Sequence, residues 1–459
     1  MKTINKFSLE VISLLFLSFY SYSQPAKKDI VWMHGMNGEK SGFTNLSNLA
    51  YYFRGRFAQL DQSFAPLSTV QTKNNGVGKI ADFLSTEVSR RSDVGDDDLL
   101  FVGHSLGGLV GKELDIRNYR HLTGGLKMSG IITLGSPLSG SKAANSLESS
   151  IASNWILGPG APFNYFIRNV AYNLGRPILG PITGGVLAIL VAKLQLEAQR
   201  FSLFINGKND HDFFGQLFTA YGDTWNDLKT GSQGYASKHN YETNTPKINI
   251  WGNIPRPVLQ TLATNNGNGG SFNGVINYAE SMAIFWQWIP DGTFFAREAY
   301  AANAYFKYTI NGEYCNLIAD GISYSTGSMS FNSPSQVSDC YSEIISTSNK
   351  VCRKWGWFKW MCKAVVSLYQ VIVCTTHLIW GEQTVYYSVP YYPDTDGLVS
   401  EYSATAKGQE WRGIPIEASS SDHSELAETN KVAQRALTDI FNGINPLVPA
   451  SQRKVFMLR

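Results

Sequence analysis

Four short apolar runs punctuate the chain: Ile30-Val31-Trp32-Met33, Leu99-Leu100-Phe101-Val102, Ile131-Ile132-Thr133-Leu134 and Ile248-Asn249-Ile250-Trp251. Runs of this length read as strands buried on both faces. Ile80 to Val88 reads as a helix between the first two runs, Leu109 to Leu114 as a helix after the second, and Glu425 to Phe441 as a final helix. Strands alternating with helices predict a mostly parallel sheet with helices on both faces. The long gaps between the runs place two large insertions in that frame. Residues 24–136 are the first half of the core, 137–246 a first cap or lid insertion, and 247–253 a core strand. Residues 254–385 form a second insertion, and 386–459 return to the core. No internal repeat is visible, and Asn265 to Gly274 is a Gly/Asn-rich loop.

The second run leads directly into Gly103-His104-Ser105-Leu106-Gly107-Gly108. A strand entering a tight turn with a serine at its apex, followed by a helix, has the form of a nucleophile elbow. Glycine at 103 and 107 lets the helix pack close behind the strand. A bare G-x-S-x-G would occur by chance about 0.4 times in a chain of this composition, so the strand-turn-helix context carries the weight. Upstream, the first run ends in His34-Gly35-Met36-Asn37-Gly38.

With these segments the chain resembles the α/β-hydrolase superfamily, and its secreted bacterial lipases in particular. The resemblance extends to Ile131-Ile132-Thr133-Leu134-Gly135-Ser136-Pro137, to Asp396-Gly397-Leu398-Val399-Ser400 and to Ser421-Asp422-His423-Ser424-Glu425. It covers about 200 residues, all in the core. It implies an α/β-hydrolase fold, with Ser105 as nucleophile, His423 as base and Asp396 as the acid that orients it, in the chain order of the family. The backbone N–H groups of Met36 and Leu106 would form the oxyanion hole. Asp394 remains an alternative to Asp396. His104 reads as a hydrogen-bonded neighbour and His34 as a residue that shapes the oxyanion loop. Asp422 reads as a surface or supporting residue. No cofactor is expected. The one metal the resemblance allows is a structural calcium near the histidine, with Glu425 suitably placed.

Composition narrows the setting. The 459 residues are 43% hydrophobic and 13% aromatic, enough to bury a substantial core, and the net charge of +3 without a dense basic run makes nucleic acid a poor candidate partner. Lys2 and Lys6 precede an apolar stretch from Val11 to Tyr20, and Ser21 and Ser23 flank Tyr22. Residues 1–23 therefore read as a cleavable signal peptide and the protein as secreted or periplasmic. All five cysteines, Cys315, Cys340, Cys352, Cys362 and Cys374, fall in the second insertion, where two disulfides of undetermined pairing and one thiol are expected, with five reduced cysteines, some of them buried, as the alternative. Asn209-Asp210-His211-Asp212 reads as a polar loop.

Two features bear on the substrate. Leu187, Leu190, Val191, Leu194, Ala198 and Phe201 share one helical face, which is either a lid over an acyl site or a helix packed permanently on the core. Between Cys352 and Cys362, Trp355, Trp357 and Trp360 interleave with Arg353, Lys354 and Lys359, a pattern suited to transient contact with a membrane or lipid interface, or to a buried insertion core with cations outside. The expected activity is hydrolysis of carboxylic esters, lipids among them. An acyltransferase using the same triad, or a non-catalytic surface-binding protein on this scaffold, are the alternatives. Oligomeric state is not legible.

Overall fold

A computed structural model of the chain describes residues 28–36, 60–64, 72, 75–90, 99–148, 222–231, 234–255, 258–265, 310–318, 323–335, 379–391, 393–427 and 431–458, with scattered positions between 273 and 308. Residues 1–23, read above as a signal peptide, the 187–201 stretch, residues 209–212, the tryptophan-rich stretch and four of the five cysteines lie outside these residues. Cys315 is a buried thiol.

The strands are β1 (Lys28–Met33), β2 (Leu60–Phe64), β3 (Leu99–His104), β4 (Gly130–Leu134), β5 (Lys247–Asn253), β6 (Ser323–Ser335), β7 (Ile379–Tyr391) and β8 (Ile414–Ser419). The helices are α1 (Val77–Ser89), α2 (Leu106–Tyr119), α3 (Lys142–Glu148), α4 (Gly222–Leu228), α5 (Tyr235–Lys238), α6 (Val258–Asn265), α7 (Ile310–Ile318), α8 (Glu401–Ala404), α9 (Lys431–Phe441) and α10 (Ala450–Phe456). Among the described residues, no helix is long and apolar enough to cross a membrane. Two compact units divide the chain. The first takes residues 1–144, 220–253 and 398–459, and the second 145–219 and 254–397.

In the first unit, six strands form one sheet in the order β2-β1-β3-β4-β5-β8, every neighbouring pair parallel. The strand period of two sorts side chains to opposite faces. Ile30, Trp32, Leu100, Val102, Ile132, Leu134, Ile248, Ile250, Ile416 and Ala418 share a core with Ala433, Leu437, Ile440 and Phe441 of α9 and Phe456 of α10. The intervening Phe101 points the other way, where its ring lies against Gly111 of α2. Helices therefore cover both faces, which is why β1, β3, β4 and β5 are almost wholly buried and each carries an apolar run. β8 lies at an edge, and its sequence shows it: burial alternates along Ile414-Pro415-Ile416-Glu417-Ala418-Ser419, with the exposed proline tolerated where a strand has an open side. In α1, Val77, Ile80, Ala81, Leu84 and Val88 form a buried stripe of helical spacing. The helix begins three residues before Ile80 because Val77 N–H donates to Asp227 of α4, a partner distant in sequence.

The chain runs from β1 outward to β2, then returns to place β3 on the other side of β1. The carboxyl ends of β1 and β3, aligned at Met33 and Gly103, thus sit where the strand order reverses. That is where open parallel sheets present a crevice for ligands.

In the second unit, β6 and β7 pair antiparallel from Ser323–Tyr391 to Ser335–Ile379. Phe331 and Val385 are buried on one face of this ribbon, with Tyr300 4.5 Å from the Phe331 ring and Tyr308 stacked on Tyr387 at 4.8 Å. The opposite face carries the exposed Tyr324 and Tyr386. A lone two-stranded ribbon is marginal, so these aromatic contacts supply its hold.

Helix α2 is buried on nearly all sides, polar residues included, and each buried charge has partners. Asp115, 1% exposed, accepts hydrogen bonds from the Trp411 indole at 2.7 Å, from Thr245 Oγ1 at 2.6 Å and from Thr243 Oγ1. Lys247 Nζ lies 4.0 Å from it and 5.3 Å from the Trp411 ring. Burial pushes the Glu113 carboxyl up, but hydrogen bonds from His239, Tyr235 and Arg117 outweigh it and bring the group down to about 2. Arg117 also binds Asp82 of α1, fastening the two helices. Burial brings the Lys112 ammonium down to about 8, with Glu113 pulling the other way. Asp115→Ala should strand one indole and two hydroxyl donors, lowering stability by about 3–5 kcal/mol. Urea unfolding measures this, and a loss under about 1 kcal/mol would contradict the hub role.

Candidate active site

Ser105 occupies the turn between β3 and α2 with φ 53° and ψ −124°. A non-glycine residue at positive φ is strained by roughly 1–3 kcal/mol and persists only where its surroundings impose it. They do so through backbone contacts. Ser105 N–H donates to Leu134 O of β4 at 2.9 Å, and Gly108 N–H donates to Ser105 O at 3.0 Å. A Cβ on Gly103 would lie 2.6 Å from the Gly107 carbonyl, and one on Gly107 would strike Met33 O. The two glycines of the motif are thus required by the approach of α2 to β3 and to the end of β1.

The turn after β1 packs against the serine. A Cβ on Gly35 would sit 2.8 Å from Ser105 Cβ and 3.3 Å from His104 Nδ1. His34 is buried, with Nδ1 2.8 Å from Gly35 O, and shapes this turn. Met36 is half-buried at its end. Leu106 is the first residue of α2, in the turn whose N–H groups have no intrahelical acceptor.

His423 follows β8 on a loop with its own constraints. Ser420 has φ 60°, and its N–H donates to Asn253 O of β5 at 2.6 Å. Asp422 Oδ1 accepts from Glu425 N–H at 2.9 Å, while Glu425 Oε2 accepts from Asp422 N–H at 3.0 Å. This is a reciprocal capping box that brackets His423. Asp422 is buried, so it supports the loop from inside and is not a surface residue. The turn occupies the start of the helix expected from Glu425; α9 begins at Lys431. Glu425 Oε2 is engaged with the loop backbone, and among the described residues no cluster of three or more His, Cys, Asp or Glu side chains suited to a metal occurs.

The His423 loop reaches the serine turn through His104, whose Nε2 lies 2.8 Å from His423 O, with the two rings 4.8 Å apart between centroids. Burial pushes the His104 imidazole down to about 3; the neighbouring His423 and His34 act in the same direction, against the pull of the hydrogen bond to His423.

Asp396 belongs to the second unit and is described within it. It is 1% exposed, whereas Asp394 is half-buried. Its turn is held by Tyr314 OH donating to Gly397 O at 2.6 Å, by Gly397 N–H donating to Thr395 Oγ1 at 3.1 Å and by Ile254 N–H donating to Thr395 O at 3.0 Å. Gly397 has φ 92° and lies against Leu262. Burial pushes the Tyr314 phenol well above its usual range, with Cys315 and Asp396 adding to it.

At the reversal point of the sheet the structure thus places the Gly35 turn against Ser105 and His104, and the main chain of His423 against the His104 ring. The sequence marks His104 as a hydrogen-bonded neighbour and Asp422 as a surface or supporting residue, but not their partners His423 and Glu425, nor the role of Ser420. The Asp-x-x-Glu spacing was a signal for the box; the others depend on contacts distant in sequence.

No protein-family model and no curated protein matches the chain. Among solved structures, the mature form of the Bacillus licheniformis lipase BlEst2 is similar at 17% identity and a TM-score of 0.30, over 53% of this chain and 75% of that one. YbtT, a type II thioesterase of the yersiniabactin biosynthetic pathway, is similar at 17% identity and a TM-score of 0.24, over 50% and 75%. The fold is set by the chain's own topology. A parallel sheet covered on both faces, a reversal of strand order and a strained serine between β3 and α2 make the core an α/β-hydrolase fold.

The folded His104 ring stays neutral down to about pH 3, whereas an ordinary histidine titrates at 6.5, so on acidification the unfolded chain takes up this proton first. His104 therefore contributes stability that is present above pH 6.5 and lost as the pH falls towards 3. Over that interval His104→Gln should lose less unfolding free energy than the wild type. Equal losses in denaturant titrations would contradict the assignment.

Proposed function

We propose that this chain is a serine hydrolase of carboxylic esters, lipid esters foremost, acting through an acyl-enzyme. The observation that carries the reading is Ser105 held at φ 53° at the head of α2, with the His423 loop bonded to the adjoining residue. A neutral hydroxyl needs a base and the base needs an orienting partner. Ser105 Oγ attacks the ester carbonyl carbon and its proton passes to the His423 imidazole. The carbonyl oxygen becomes an oxyanion, received by the N–H groups of Met36 and Leu106, each worth about 3 kcal/mol. Collapse breaks the bond to the alcohol oxygen, which takes the proton from His423. Water then repeats the sequence and frees the acid. Asp396 is assigned as the acid that holds the imidazole tautomer, on chain order and its Asp-Gly-Leu-Val setting.

The helical spacing of apolar residues from Leu187 to Phe201 and the tryptophan-lysine composition between Cys352 and Cys362 favour an acyl substrate in this reading, and the composition of residues 1–23 favours export. A p-nitrophenyl ester series of rising acyl length, with and without a lipid interface, tests the substrate class. Turnover should rise with chain length, and Ser105→Ala should lower kcat by about 10⁴-fold or more. Undiminished turnover in that variant would remove the reading. Asp396→Asn should cost about 10³–10⁴-fold in kcat and Asp394→Asn less than about tenfold. The reverse order would transfer the acid role to Asp394.

A further inference from the structure

The residue between Gly103 and Ser105 has no role in the chemistry just described, yet its contacts are specific. His104 Nε2 lies 2.8 Å from the main-chain oxygen of His423. A carbonyl only accepts, so Nε2 carries the proton and Nδ1 the lone pair. That tautomer prevents His104 from acting as the base at Nε2. Its Nδ1 edge turns to Gly35, 3.3 Å from where a Cβ on that residue would lie, and the same Cβ would touch Ser105 Cβ. One flat ring therefore stands between the turn after β1 and the loop that carries His423.

We propose that His104 is a positioning residue. Its Nε2–H holds the His423 main chain at a fixed reach from Ser105, and its opposite edge braces the Gly35 turn of the oxyanion hole. The inference rests on the esterase reading above, in which His423 is the base. The reach explains the residue type, since the donor must stand four atoms along the side chain from Cα and end at a backbone acceptor. Charge explains it too. The titratable groups facing the ring are His423, 4.8 Å away between centroids, and His34. Burial keeps His104 neutral above about pH 3, so no cation opposes the imidazolium that forms on His423 when Ser105 gives up its proton. Lysine or arginine at 104 would place a cation there.

A brace that touches no substrate acts on kcat and leaves KM alone. Glutamine keeps a donor at the position of Nε2, whereas asparagine places its amide nitrogen at the position of Nδ1. Ester hydrolysis by the full chain and by His104→Gln, His104→Asn and His104→Leu, with kcat normalised to the folded fraction from the unfolding amplitude, tests the role. Asn and Leu should lose about 10²-fold in kcat with KM within about threefold. Gln should stay within about fivefold of the wild type. Asn equal to Gln, or losses that vanish on normalisation, would overturn the inference. Ser105→Ala in parallel separates the two layers. Activity that depends on Ser105 but survives His104→Asn removes the positioning role alone, and activity independent of Ser105 removes the esterase reading and this inference with it.

Discussion

The structure depends on how closely three backbone segments meet at one serine. The end of β1, the end of β3 and the start of α2 approach until any side chain at Gly35, Gly103 or Gly107 would collide with a neighbour. Within that crowded turn Ser105 takes up its positive-φ conformation. The strain of roughly 1–3 kcal/mol is local, and the parallel pairing of β1, β3 and β4 around it, with α2 buried behind, offsets it. A serine on a relaxed turn could rotate away. Here the backbone permits one presentation, at the point where the strand order reverses.

Holding α2 in that place has its own requirements. Pressed between the sheet and neighbouring segments, it buries Lys112, Glu113 and Asp115 as well as Leu109 and Val110. Buried charge without partners would cost more than the apolar contacts return. Asp115 and Glu113 therefore gather donors from Trp411, the residues leading into β5 and the α5 region, and Arg117 extends the ties to α1. The network and the strained turn belong to one design, in which the helix that exposes the serine is fixed from behind by polar bonds.

Much of this was legible in the chain, for definable reasons. β1, β3, β4 and β5 announced themselves because strands covered on both faces carry apolar runs, interrupted between Ile248 and Trp251 of β5 only by Asn249. The elbow was visible because close packing demands glycine at fixed spacing. β2 carries Asp61 and Gln62 among its five residues, β8 contains a proline, and β6 is rich in serine with an exposed face; none presents the apolar run that marks a buried strand. The start of α1 depends on Asp227, 150 residues away, and the His104–His423 bond spans 319 residues. Such contacts leave no periodic trace. The His423 turn lies between these cases: the Asp-x-x-Glu spacing was readable, but the helix expected there begins further on because the box closes a turn of its own.

The most direct test of the account is to expose the intact protein to an organophosphate with a p-nitrophenolate leaving group and map the adduct by peptide mass spectrometry. The account predicts one phosphoryl group per chain, on Ser105, with release of an equal amount of p-nitrophenol. Labelling of another residue, or none at Ser105, would contradict it.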